Sequence, residues 1–204
     1  MINQMKLQSG TQKDGNSMTL RDMIKMYSNN DGTRTLFESI AMTEVEQALK
    51  DWNINFKGNY VLIGGVAVSY HAKPRVTMDI DVLFLSKDDI PVEVPGFKRI
   101  GLDVFRHNGP HVEVKAITLE HMVTLPVVIA NKVFKTAIES NGIKIASPSA
   151  LVVLKLHRMG RYDEGDIWAL IETGEVDLTD WPLTPDKLEI YNYIVQRVKN
   201  QIKI

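Results

Sequence analysis

The stretch VLIGGVAVSYHAKPRVTMDIDVLF, residues 61–84, decides how the rest of the chain is read. It opens with an apolar run ending at Ile63, breaks at Gly64-Gly65, and resumes with small and apolar residues towards His71. That order predicts a short buried strand over Tyr60–Ile63, a glycine corner, and a helix over Val66–His71. From Met78 the pattern alternates, with Met78, Ile80, Val82 and Phe84 on one side and Asp79, Asp81 and Leu83 on the other. A period of two marks a strand with one face in the core, so Asp79 and Asp81 point the same way with Cα atoms about 6.6 Å apart.

Ionised carboxylates this close disfavour one another's charge unless a cation sits between them. Mg²⁺ suits that place, because it takes oxygen ligands and accepts one or two carboxylates together with substrate phosphates. A second ion could lower the pKa of an attacking hydroxyl. Gly64 and Gly65 allow close approach of the backbone to a ligand, and amides at a helix N-terminus attract phosphate. Arg75, just ahead of the acidic strand, suits a phosphate or carboxylate clamp, and Thr77 shares a strand face with Asp79 if the strand starts early. Each feature alone has a plain reading: an edge strand facing water, a tight turn, a solvated arginine. Their ordered combination is far more specific than its parts.

Outward from this stretch, residues 1–32 form a polar arm with one short amphipathic patch at Leu20, Ile24 and Tyr27. Phe37, Ala41, Val45, Ala48 and Trp52 then recur at helical spacing. Beyond a Pro/Asp-rich link over Ser86–Pro95, strands are predicted at Asp103–Arg106 and His111–Ile117, turned into a hairpin by Asn108-Gly109-Pro110. The second of these places His111, Glu113 and Lys115 on one face, making Glu113 the candidate third carboxylate and metal ligand. A solvated Glu113/Lys115 stripe is the competing reading, and Asp103 is a weaker substitute. Leu119–Glu139 carries no decisive period, and Ile143–Ala146 reads as a last strand. From Ser147 the chain turns helical: a helix entered at Ser147-Pro148, a second over about Asp163–Glu172, and a third over about Pro185–Lys199. The expected fold is α/β (α+β), a mixed sheet flanked by helices with a C-terminal helical part. The division is an arm over 1–32, a catalytic core over 33–146 and a helical region over 147–204.

The ordered set Gly64, Gly65, Arg75, Thr77, Asp79 and Asp81 resembles the DNA polymerase β-like nucleotidyltransferase superfamily. The likeness is greatest to its AbiEii-type branch, whose pattern is hhGGhAhxxHxxxRxTxDhDhh with h apolar. A second likeness lies in IASPSALVVLKLHRMGRYDEGDIWALI, residues 145–171, where a strand leads into Ser-Pro, a helix bearing Lys155, and then Arg161, Asp163 and Asp166. A lysine beside Leu154 and Leu156 ordinarily snorkels to solvent; the resemblance implies instead that Lys155 reaches nucleotide phosphates. It also implies a site role for Asp166, pairing Lys155 or orienting the nucleophile. Asp163 reads as helix-start charge, His157 and Arg158 as surface residues, and His71 as a packed helix-end histidine. The chain departs from many such enzymes at Val66, where Ser often follows Gly-Gly, and Glu113 stands where Asp is more usual.

The resemblance covers about residues 60–85 and 143–172 and implies a nucleotidyltransferase fold. The implied activity moves an NMP from an NTP, bound with Mg²⁺ or Mn²⁺, to an RNA end (tRNA being the leading case) or to a protein hydroxyl. The role implied is that of a toxin in a toxin–antitoxin or phage-defence system, with a cognate antitoxin as partner. Two alternatives stand beside it: a nucleotide- or partner-binding protein that kept the fold without turnover, and a small-molecule, antibiotic-type transferase.

The bulk properties fit such a protein. The 204 residues carry Lys+Arg 24 against Asp+Glu 25 and no cysteine, which excludes disulfides, thiolate zinc sites and a thiol nucleophile. Near-neutral charge argues against a non-specific nucleic-acid coat. No membrane-length apolar run or apolar signal core is visible, so a cytoplasmic protein is expected.

Overall fold

The computed structural model describes residues 36–72, 77–122 and 125–201, with side chains from Thr43 onward. The polar arm over 1–32 and Arg75 lie outside the described residues. In chain order the elements are α1 (Leu36–Asn55), β1 (Val61–Ile63), α2 (Gly64–His71), β2 (Asp79–Leu83), β3 (Phe97–Arg99), β4 (Val104–His107) and β5 (Glu113–Ile117). They continue with α3 (Val127–Thr136), β6 (Ile138–Ser140), β7 (Ile143–Ile145), α4 (Pro148–Arg158), α5 (Asp163–Glu172) and α6 (Pro185–Gln201).

The strands form one seven-stranded mixed sheet in the order β3-β4-β5-β2-β1-β7-β6. β2 runs antiparallel to β1 and parallel to β5, so the acidic strand sits at the centre with hydrogen-bonded neighbours on both sides. A central strand cannot be a solvent-facing edge. The predicted hairpin forms as β4 and β5. β3 was not expected: Phe97–Arg99 pairs with β4 as an edge strand, and such a short segment leaves no readable period. The undecided stretch 119–139 resolves into α3, entered after Pro126, and the first residues of β6.

Ile80, Val82 and Phe84 are fully buried. Phe84 meets Phe56 and Tyr60, ring centroids 5.7 and 6.1 Å apart, and those two rings adjoin Trp52 at the end of α1. Trp52 is also met edge-on by Phe97 and Phe105, so one aromatic cluster pins α1 to the sheet and secures the β3–β4 edge. α4 begins as predicted, with the Ser147 side chain accepting from the Ala150 amide and Pro148 in the first turn. Nearly every residue of α4 from Ala150 to Leu156 is buried, and the hydrophobic core is continuous from Val45 to Val198. The C-terminal helices therefore share their core with the sheet.

Candidate active site

The antiparallel register of β1 and β2 sets Ile63 directly opposite Asp81, so the glycine corner after Ile63 abuts the second carboxylate of the acidic strand. Gly64 adopts φ +69, the left-handed region that costs any L side chain about 1–2 kcal/mol. A Cβ at Gly64 would also lie 2.0 Å from Asp81 Oδ2. The corner is thus glycine for two independent reasons, and the second concerns the carboxylate itself. Gly64→Ala is expected to cost about 2–4 kcal/mol, from backbone strain and displacement of a packed carboxylate. Gly174 has φ +75 and nothing within 4 Å, so Gly174→Ala reports strain alone; thermal melts of the two variants should show the larger loss at Gly64.

Gly65 follows, buried in the first turn of α2. Thr77 lies just ahead of β2, and its hydroxyl donates to the Asp79 carbonyl at 3.4 Å. The parallel register pairs Asp79 with Glu113 and Asp81 with Lys115, which puts all four side chains on one face of the sheet. Their partners differ. Lys115 Nζ donates to Asp79 Oδ2 at 2.6 Å, while Glu113 accepts from Arg106 at 2.7 Å. Asp103, the substitute third acid, pairs with Arg99 and with His121, whose Nε2 donates to Asp103 Oδ2 at 2.8 Å. Among the described residues, no three His, Asp or Glu side chains are grouped to hold a metal.

Burial pushes the Asp81 carboxyl above the ordinary carboxylate value, and the neighbouring charge of Asp79 adds to the rise against the opposing pull of Lys115, Arg158 and Lys155. Lys115 is held above the ordinary lysine value: burial works against its charge, but the hydrogen bond and charge of Asp79 outweigh it.

The far wall comes from α4 and the start of α5. Lys155, only 4% exposed, reaches Asp166 Oδ2 at 2.5 Å and Asp163 Oδ1 at 3.2 Å. It does not snorkel. Asp163 corrects the sequence reading: it is fully buried and accepts from Lys155, from the Gly160 amide at 2.5 Å, and from Arg158 through Nε at 2.9 Å and a terminal nitrogen at 2.5 Å. Its place at the helix start is incidental to that role. The geometry follows from Met159, which ends α4 in the left-handed conformation (φ 46, ψ 49) and turns the chain back so that α5 starts beneath Lys155 and Arg158. Burial alone would raise the Asp163 carboxyl, but Arg158, the Gly160 amide and Lys155 hold it below the ordinary range.

Arg158 is a surface residue as expected, its side chain half-exposed, and Asp163 holds it in a two-pronged pair. Its spacing of three from Lys155 was the available signal, since residues three apart share a helix face. His71 is packed as expected: its Nε2 donates to the Ala146 carbonyl at 2.8 Å, tying the end of α2 to the entrance of α4.

Between these walls lies a cleft of about 210 Å³. Gly64, Asp81, Lys155 and Arg158 supply its polar lining; Ile63, Ile117, Leu151 and Leu154 are apolar, and His121 and Met122 complete it. His121 is held at both ring nitrogens, because its Nδ1 accepts from the Thr118 amide at 3.1 Å. No protein-family model matches this chain, and no curated protein matches it.

A divalent cation held here would have two protein carboxylates at most and would take its remaining ligands from phosphate and water. Three cations, Lys115, Lys155 and Arg158, meet four carboxylates, Asp79, Asp81, Asp163 and Asp166, leaving one negative charge in excess. Asp81 faces the cleft from a position that only glycine leaves open. The residues that could hold the ion are Asp79 and Asp81, both oxygen donors on one strand face.

Proposed function

We propose that the protein is a metal-dependent nucleotidyltransferase, moving an NMP from an NTP to an acceptor hydroxyl with release of pyrophosphate. The observation that carries this reading is the packing of Asp81 Oδ2 against Gly64, with Lys155 and Arg158 lining the opposite side of the same cleft. Acid and base thus face each other across a space whose floor is a helix N-terminus. A divalent cation held by Asp79 and Asp81 supplies neutralisation of phosphate charge. Arg158 binds a phosphate oxygen: Asp163 holds one edge of its guanidinium, leaving the other free to point at an anion. Lys155 contributes its field from within the wall, fixed by two carboxylates. The α2 amides at Gly64 and Gly65 hold a second phosphate, which the absence of a hydroxyl at Val66 leaves to the backbone. Catalysis in such a site is positioning and charge neutralisation.

The acceptor is an RNA end or a protein hydroxyl, and the biological role is that of a toxin held in check by an antitoxin, readings that rest on the family resemblance. A second reading has its own support: Lys115 neutralises Asp79, and Glu113 is tied to Arg106. That arrangement suits a protein that binds nucleotide without turning it over. Incubating the full chain with Mg²⁺, each α-labelled NTP and total RNA or protein separates the two. Label transferred to an acceptor supports the transferase; nucleotide retained with no transfer for any combination supports the binding protein.

A further inference from the structure

Among the described residues, Lys115 is the one cation that a strand next to β2 places on the same sheet face as the two candidate metal ligands. The parallel ladder sets its Cα beside Asp81, and its ammonium reaches back to Asp79 Oδ2 at 2.6 Å, so a single side chain spans the pair. The Asp79 and Lys115 side chains are each about two-fifths exposed, open enough to exchange partners with solvent yet bonded to one another.

A two-cation site of the phosphoryl-transfer kind needs a carboxylate to bridge ions roughly 3.5–4 Å apart, with further oxygen ligands for the second ion. Here the next residue able to add an oxygen is Glu113, in register with Asp79 but bonded to Arg106 at 2.7 Å. The oxygen of Asp79 that would bridge already accepts from an ammonium. A second dication there would meet the Lys115 ammonium at contact distance, and Asp79 Oδ2 opens to it only when that ammonium is gone.

Resting on the proposed transferase reading, we infer that Lys115 stands in place of a second divalent cation, so that the site takes a single ion at the Asp79–Asp81 pair. The ammonium supplies, beside Asp79, one positive charge of the kind that two-ion sites draw from metal. Lys115 is then a positioning residue: it holds Asp79 and limits the number of ions.

Counting Mn²⁺ bound to the full chain, by equilibrium dialysis and by paramagnetic resonance of the free ion, tests this directly. The titration is run with Mn²⁺ alone and with each of the four α,β-methylene nucleoside triphosphates. With Mn²⁺ alone or with nucleotide bound, wild type is expected to hold one ion per chain in all, the ion of the bound nucleotide being the one at the Asp79–Asp81 pair. Lys115→Met is expected to hold two, and Lys115→Arg, which keeps the cation, one; ions on unbound nucleotide are subtracted from a protein-free control. Melting curves of the three proteins show that the variants are folded. Two ions in wild type, or an unchanged count in folded Lys115→Met and in a second neutral variant, Lys115→Gln, overturns the inference. If wild type binds two ions and still transfers label, the transferase reading survives and the inference alone fails. If no protein binds Mn²⁺ under any condition, both fail together.

Discussion

Asp81→Asn is expected to lower label transfer by about 1000-fold while raising the melting temperature of the metal-free protein at pH 7. The loss follows from removing a charged group aimed at the reacting phosphates in a partly buried site, where single electrostatic contributions are worth about 100- to 1000-fold. The gain in stability has the opposite origin. Burial and the charge of Asp79 raise the folded-state value of Asp81 above 3.8, its ordinary value. Ionising it therefore costs more in the folded chain than in the unfolded one. That cost is absent below pH 3.8, grows as pH rises towards the folded value, and is constant above it. The amide keeps the shape that packs against Gly64 and removes the charge, so the advantage of the variant is present above the unfolded value and fades in acid. Adding Mg²⁺ should raise the melting temperature of wild type only, because an ion that binds the folded form alone stabilises it by mass action. A variant that melts no higher than wild type in EDTA, or that responds equally to Mg²⁺, would show that Asp81 is not a strained metal ligand.

Asp163→Ala should be the most destabilising single change at this site. The fully buried carboxylate satisfies Lys155, Arg158 and the Gly160 amide together. Removing one partner of a buried ion pair typically costs about 3–5 kcal/mol, and here Lys155 is left with Asp166 alone, the Gly160 amide loses its acceptor and Arg158 loses its two-pronged partner. For a chain of this size, that is a fall of about 10 °C or more in melting temperature. The pH dependence has the reverse sign from Asp81. The folded-state value of Asp163 is depressed below 3.8, so its contribution is complete above the unfolded value and disappears as pH falls through the lower folded one. The wild-type advantage over the alanine variant should hold from neutral pH to about pH 4 and shrink below it. Comparing melts at pH 7 and pH 3 checks this, and an undiminished gap at pH 3 would count against an ionised Asp163. Arg158→Lys is informative beside it, since a point charge cannot reproduce the two-pronged contact.

How much of this was legible beforehand depends on the range of the interaction. Alternation over Met78–Leu85, the Gly-Gly break, the Asn108-Gly109-Pro110 turn and the Ser147-Pro148 helix entrance are local signals. Each placed an element within a few residues of where it lies, because period and turn chemistry act within a handful of neighbours. β3 and the α3–β6 stretch escaped because three-residue strands carry no period; their partners are the next strands in the chain, and Asn141-Gly142, both at positive φ, was the turn signal available for β6–β7.

The placing of Asp79 and Asp81 on one strand face was already written in residues 61–84, whereas the need for glycine beside Asp81 came from the antiparallel register of β1 and β2. What surrounds the two carboxylates was not written there either. Lys115 rather than Glu113 meets Asp79, Asp163 is a buried hub rather than a cap, and Arg158 joins the cleft. The first follows from strand register, which joins residues far apart in the chain, and the other two from the reversal at Met159, which folds Asp163 back onto Arg158 and Lys155 a few residues before it. Partner choice among charges is settled by distances of a few ångströms across elements, and a linear pattern holds no information on that scale until the chain has folded.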